Sequence, residues 1–120
     1  MFRTVLIANR GEIAVRVIQA CRERGIEAVA ACTDAELDST AAALADDVVR
    51  VSCYLEPDAL VGAARSSGAD SVHPGYGFLS EDARLAEDVI AAGLTWVGPP
   101  PDAMRAVGDK MRARELAEGA

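Results

Sequence analysis

Five short apolar runs begin near residues 4, 28, 48, 70 and 94, and the 20–24 residues between starts are what one strand plus one helix occupies. Thr4-Val-Leu-Ile-Ala8 and Ala28-Val-Ala-Ala-Cys32 are continuously apolar rather than alternating, as strands covered on both faces are. Val48-Val-Arg-Val51, Asp70-Ser-Val-His73 and Leu94-Thr-Trp-Val97 complete the set, the third strand being the weakest. Strands alternating with helices at this interval predict an α/β fold, a parallel five-stranded sheet with right-handed crossovers and helices on both faces.

The intervening segments carry helix signals. From Arg10 to Arg24, Ile13, Ala14, Val17, Ile18 and Cys21 fall on one stripe, and Gly25 closes the helix. A short helix near Ser39–Ala45 takes Asp38 or Ser39 as its cap. Asp58–Ser67 is opened by Pro57 and ended by Gly68. Ser80 caps a helix with Glu81 and Asp82 in its first turn, a buried stripe of Leu85, Ala86, Val89 and Ile90, and Gly93 at its end. After Gly98-Pro-Pro-Pro101, Asp102–Val107 and Asp109–Glu118 read as helical, and the chain then stops as a cut end would.

At 120 residues the chain suffices for one core, filled by Ala, Val, Leu and Ile because apolar residues make up 51% and aromatics only 4%. Nineteen acidic against twelve basic side chains give −7, which argues against a nucleic-acid or anionic-membrane surface while leaving room for a local phosphate pocket. No apolar run approaches the ~18 residues of a membrane span. Cys21, Cys32 and Cys53 are odd in number and widely spaced, which fits free thiols in a reducing cytoplasm. The cysteines and methionines read as small core fillers.

In parallel sheets ligands gather beyond the carboxyl ends of the strands, so Asn9–Glu12, Thr33–Asp38, His73–Ser80 and Gly98–Pro101 are the loops of interest. Asn9-Arg-Gly-Glu12 opens a helix and could cradle an anion, with Asp34 placed as a ribose-binding acid. Against that dinucleotide reading, the loop has one glycine where the fingerprint has three, and Glu12 would repel a pyrophosphate; the alternative is a tight turn shaped by a charge pair. His73-Pro-Gly-Tyr-Gly-Phe-Leu-Ser-Glu81 suits a planar or anionic ligand over the sheet, or else is a structural loop whose Tyr76 and Phe78 cover the core edge and whose His73 is merely hydrogen-bonded. No second ligand stands at metal spacing from His73. Lys110, after Gly108-Asp109, could face a phosphate or simply be solvated beside Arg112 and Arg114. Arg16, Gln19 and Glu23 share the polar side of the first helix, either a wet face or a self-complementary patch across a twofold axis.

Ile7-Ala-Asn-Arg-Gly-Glu-Ile-Ala-Val-Arg16, His73-Pro-Gly-Tyr-Gly-Phe-Leu-Ser-Glu81, Trp96-Val-Gly98 and Gly108-Asp-Lys110 together resemble the N-terminal domain of biotin carboxylase, over essentially the whole chain. The likeness is to the biotin-carboxylase-bearing alpha chain of bacterial acetyl-, propionyl- or other acyl-CoA carboxylases; methylcrotonoyl-CoA, pyruvate and urea carboxylases share these strings. The resemblance implies a Rossmann-like pre-ATP-grasp domain at residues 1–100, with 101–120 starting the connection into an ATP-grasp domain. It implies an enzyme that uses MgATP and bicarbonate to carboxylate N1 of biotin on a biotin carboxyl carrier protein or domain, through carboxyphosphate, with a carboxyltransferase subunit downstream.

By the same resemblance, Lys110 is an ATP-contacting lysine, Tyr76 and Gly77 lie beside the biotin ureido ring with Glu81 close to that cleft, and Arg16, Gln19 and Glu23 belong to a homodimer-interface helix. Gln19 stands where some members have a second arginine, and residues 47–54 are shorter than in many members. The family's glycine-rich ATP lid, Mg2+-binding glutamates and the lysine and arginines that hold bicarbonate and biotin have no counterpart in these 120 residues, so the chain alone is expected to be inactive; the expectation of a cytoplasmic setting rests on the free thiols. The alternatives are a non-catalytic dimerisation or docking module of the same fold, or a small dinucleotide-binding domain built on Asn9–Glu12 and Asp34.

Overall fold

In the computed structural model, which describes residues 3–75 and 83–98, the elements run β1 (Thr4–Ile7), α1 (Gly11–Glu23), β2 (Glu27–Cys32), α2 (Thr40–Leu44), β3 (Asp47–Arg50), α3 (Pro57–Ser67), β4 (Ser71–His73), α4 (Ala83–Ala91) and β5 (Thr95–Trp96). The five strands form one sheet in the order β3-β2-β1-β4-β5, and every pairing is parallel. Leu6 sits opposite Val29 on one side and Val72 on the other, so β1 is the centre of the sheet.

Side chains alternate between two faces that are both covered, so β1 and β2 are apolar beyond their first residues, Thr4 and Glu27. Leu6, Ala8, Val29 and Val72 face one layer with Leu60 and Ala64 of α3 and Leu85 and Val89 of α4. Val5, Ile7 and Ala28 face the other, with Ala14, Val17, Ile18 and Cys21 of α1 and Ala41 of α2. Keeping one crossover hand requires the helices to change face when the strand order reverses between β3 and β4, and they do. Tyr54 joins the first layer with its ring buried, and its hydroxyl donates to the Ala31 carbonyl oxygen at 2.8 Å.

The helix ends are local sequence effects. Gly25 (φ 71°) closes α1, where the Ile26 N–H reaches back to the Cys21 carbonyl at 2.8 Å. Ser39 is the cap of α2, its Oγ accepting from the Ala42 N–H at 3.2 Å, and Pro57 is the first residue of α3. Among the described residues no helix is long and apolar enough to cross a membrane.

Several expectations shift. Ile90 is 52% exposed, not buried with Leu85, Ala86 and Val89: it lies on the flank of α4 that neither α3 nor the two-residue edge strand β5 covers. Strand β3 starts one residue earlier, at Asp47, and its positions are only half-buried or exposed, as befits an edge. Asp70 precedes β4 rather than opening it, and its carboxylate accepts the Arg3 N–H at 2.8 Å. A single 3-10 turn, Asp34–Glu36, lies in the loop after β2. Cys21 and Cys32 are core residues, whereas Cys53 is half-buried; the three methionines lie outside the described residues.

Candidate functional site

The reversal of strand order places β1 beside β4, and the crevice beyond their carboxyl ends is where an open α/β sheet binds ligands. Here its base is filled. Asn9 follows β1 and is 2% exposed. Its Nδ2 donates to the Pro74 carbonyl oxygen at 2.8 Å, and its Oδ1 accepts the Arg10 N–H at 2.8 Å. One residue earlier, the Ala8 N–H donates to the His73 carbonyl oxygen at 2.9 Å. Gly75 turns away with φ 69°, so close that a Cβ there would stand 2.7 Å from Ile13 Cγ2 and 2.8 Å from Asn9 Nδ2.

His73 is half-buried, and its Nδ1 accepts the Gly75 N–H at 2.9 Å. A ring that accepts at Nδ1 carries its proton on Nε2 and is neutral, and burial pushes the imidazole pKa below its ordinary value. Neutral His73 is thus a structural acceptor for the corner after β4, while Tyr76 and Phe78 of the structural-loop reading lie outside the described residues.

Two ion pairs lie at the carboxyl ends of the first three strands. Arg10 Nε meets Glu36 Oε1 at 2.7 Å, tying the β1–α1 turn to the 3-10 turn, and Arg50 meets Asp34 at 2.6 Å across the ends of β2 and β3. The charge pair shaping the turn therefore reaches Glu36 rather than Glu12, which instead pairs with Arg16 at 3.6 Å along the helix. The pairs exposed on both sides, Arg16–Glu12 and Arg50–Asp34, contribute about 0–1 kcal/mol each. These contacts do not favour the dinucleotide alternative: the Asn9 carboxamide fills the base of the crevice, and Asp34 already faces a guanidinium.

On the far flank of α1, Arg16, Gln19 and Glu23 are all exposed, so the shared polar face is real. Arg16 borders a shallow apolar groove of about 280 Å³ walled by Val5, Val17, Ala20, Ile26 and Val97. Tyr76, Gly77, Glu81 and Lys110 lie outside the described residues. Among the described residues no three His, Cys, Asp or Glu side chains gather where they could hold a metal ion.

Comparison with known proteins decides the family. The model of the biotin carboxylase N-terminal domain matches residues 1–104. The chain belongs to this family. It is 44% identical to the propionyl-CoA carboxylase alpha chain of Ruegeria pomeroyi, covering 100% of this chain and 18% of that one. It is 45% identical to the biotin carboxylase of Haemophilus influenzae, covering 94% of this chain and 27% of that one. Among solved structures it resembles the biotin carboxylase domain dimer of Hydrogenobacter thermophilus 2-oxoglutarate carboxylase, in complex with MgADP, ADP and bicarbonate. There the TM-score is 0.88 at 39% identity, over 98% of this chain and 27% of that one. The chain thus spans only 18% and 27% of the length of these two curated relatives.

Within this biotin carboxylase N-terminal domain the two motif strings, 65 residues apart, meet at the Asn9–Pro74 bond. Sequence reasoning placed Asn9 in a tight turn and missed that its side chain is the meeting point. One signal was available: a polar residue directly after an apolar central strand, in a chain whose fourth-strand loop opens with Pro-Gly.

Proposed function

We infer that this chain is the N-terminal part of a biotin carboxylase, the ATP-dependent carbon–nitrogen ligase that carboxylates biotin on its carrier protein with bicarbonate, within an acyl-CoA carboxylase. The observation that carries the reading is the family match over residues 1–104, and the agreement in fold with a domain solved with bicarbonate and MgADP supports it.

In this reading the described residues build the seat and do not perform the chemistry. The Asn9–His73–Gly75 corner fixes the chain as it leaves β4, ahead of Tyr76 and Gly77, which border the biotin ureido ring, and of Glu81, near the same cleft. Lys110 offsets negative charge on the ATP triphosphate. When bound, Mg2+ would offset further charge on the phosphates, and its glutamate ligands belong to a part of the enzyme that this chain does not contain. Carboxyl transfer to the acyl-CoA falls to a carboxyltransferase, so the acyl group is chosen elsewhere.

A homodimer through α1 belongs to the same proposal. Arg16 and Glu23 are exposed on one face, and Arg16, with Arg24, borders a largely apolar groove, a combination that suits a twofold contact: the guanidinium meets the partner's Glu23 and the groove is covered. Free cysteines accord with a cytoplasmic setting.

The deciding experiment expresses the full polypeptide of the reading frame that carries this domain and follows ADP release with ATP, bicarbonate and free biotin. The reading expects release that requires bicarbonate and rises with biotin, and none from the 120-residue chain alone. Release indifferent to both, or no release from the full polypeptide, overturns it.

A further inference from the structure

We propose that Asn9 is a positioning residue whose carboxamide fixes the backbone of Pro74 and Gly75, the point from which the loop toward the biotin cleft departs. The catalytic consequence rests on the biotin carboxylase reading; the mechanical part does not.

Three observations carry it. First, the Asn9 side chain is buried and divides its two ends between two loops: Oδ1 accepts from the turn after β1, and Nδ2 donates to the carbonyl after β4. Second, the corner is held along its length: the His73 carbonyl accepts from Ala8, the Pro74 carbonyl accepts from Asn9, and the Gly75 N–H donates to His73 Nδ1. Asn9 supplies a bond that links this corner to the first motif through a side chain. Third, Gly75 packs on the same residue, with no space for a Cβ between it and Asn9 or Ile13.

The chemistry selects asparagine. Aspartate keeps the acceptor toward Arg10 but turns an anion toward the Pro74 carbonyl. Alanine leaves that buried carbonyl without its partner, and glutamine adds a methylene where Gly75 has none to yield.

The test compares Asn9→Asp and Asn9→Ala with the parent at two levels. In the chain itself, amide hydrogen exchange followed by NMR should be about tenfold faster at Gly75 in both variants, the effect of losing one buried hydrogen bond. Amides of Val5 and Leu6 in β1 should stay within about twofold. In the full polypeptide, the KM for free biotin should rise about tenfold while the KM for ATP stays within about twofold, a split that general destabilisation would not produce. Unchanged exchange at Gly75, or equal acceleration in β1, overturns the clamp. Faster Gly75 exchange with an unchanged KM for biotin, or with both KM values raised together, overturns the positioning role. If the parent polypeptide shows no biotin-dependent turnover, it is the biotin carboxylase reading that fails, and the exchange comparison alone decides whether the clamp exists.

Discussion

Substituting Gly75 by alanine probes the contact between the two motifs, and Gly25 provides its control. Both glycines have nearly the same left-handed φ, 69° and 71°. A Cβ at Gly25 meets nothing within 4 Å, whereas one at Gly75 would stand 2.7 Å from Ile13 Cγ2, 2.8 Å from Asn9 Nδ2 and 3.1 Å from Asn9 Cβ. An L-residue in this conformation costs about 1–2 kcal/mol. The lost freedom of the unfolded chain returns about 0.4–1 kcal/mol. These two contributions are common to both positions and cancel in the difference. What remains is overpacking, about 1–3 kcal/mol when neighbours must move. Ile13 Cγ2 is a branch next to its own backbone and the Asn9 amide is held by hydrogen bonds to Pro74 and Arg10, so neither can yield cheaply. With a urea dependence of about 2 kcal/mol per molar, Gly75→Ala should unfold at a midpoint about 1 M below Gly25→Ala. Midpoints within about 0.2 M of each other would refute the tight packing at this corner.

Four further outcomes can be checked. The unfolded state binds a proton at His73 below about pH 6.5 while the folded state resists it, because burial lowers the imidazole pKa. That contribution to stability is therefore present above pH 6.5 and lost as pH falls below it, and urea midpoints should drop less between pH 7 and pH 5 in His73→Gln than in the parent. Burial pushes the Cys21 and Cys32 thiols above their ordinary range, and both are core residues, so a thiol reagent at pH 7.5 followed by mass spectrometry should label Cys53 first. In the full polypeptide, Lys110→Gln should raise the KM for ATP about tenfold or more, since charge is lost while much of the shape is kept; an unchanged value removes Lys110 from the nucleotide site. Arg16→Glu should shift sedimentation from dimer toward monomer by setting like charges against the partner's Glu23, and an intact dimer would refute the α1 interface.

The central strands and the helix ends were legible because their causes are local. Continuous apolar runs report covering on both faces, and Gly25, Ser39, Pro57 and Gly68 act within a turn of where they stand. Ile90 was misread because helical periodicity gives the direction of a stripe but not how far the layer beneath it extends. Asp46 and Asp70, whose carboxylates accept the Ala28 and Arg3 N–H groups, escaped notice for a related reason: each serves a strand far away in sequence. The site divides in the same way. Family strings single out Tyr76, Gly77, Glu81 and Lys110, while the corner at Pro74 and Gly75, which precedes the first two in the chain, depends on a carboxamide whose partner is 65 residues distant, which no window of sequence displays.

Because Asn9, Ile13 and Gly75 occupy one another's space, the two strings behave as a single mechanical part. Transplanting the Pro74–Gly75 turn into a scaffold that lacks the first string would have to bring Asn9 and Ile13 along with it. Libraries that randomise position 75 alone would sample chiefly side chains that the unaltered first turn leaves no space for.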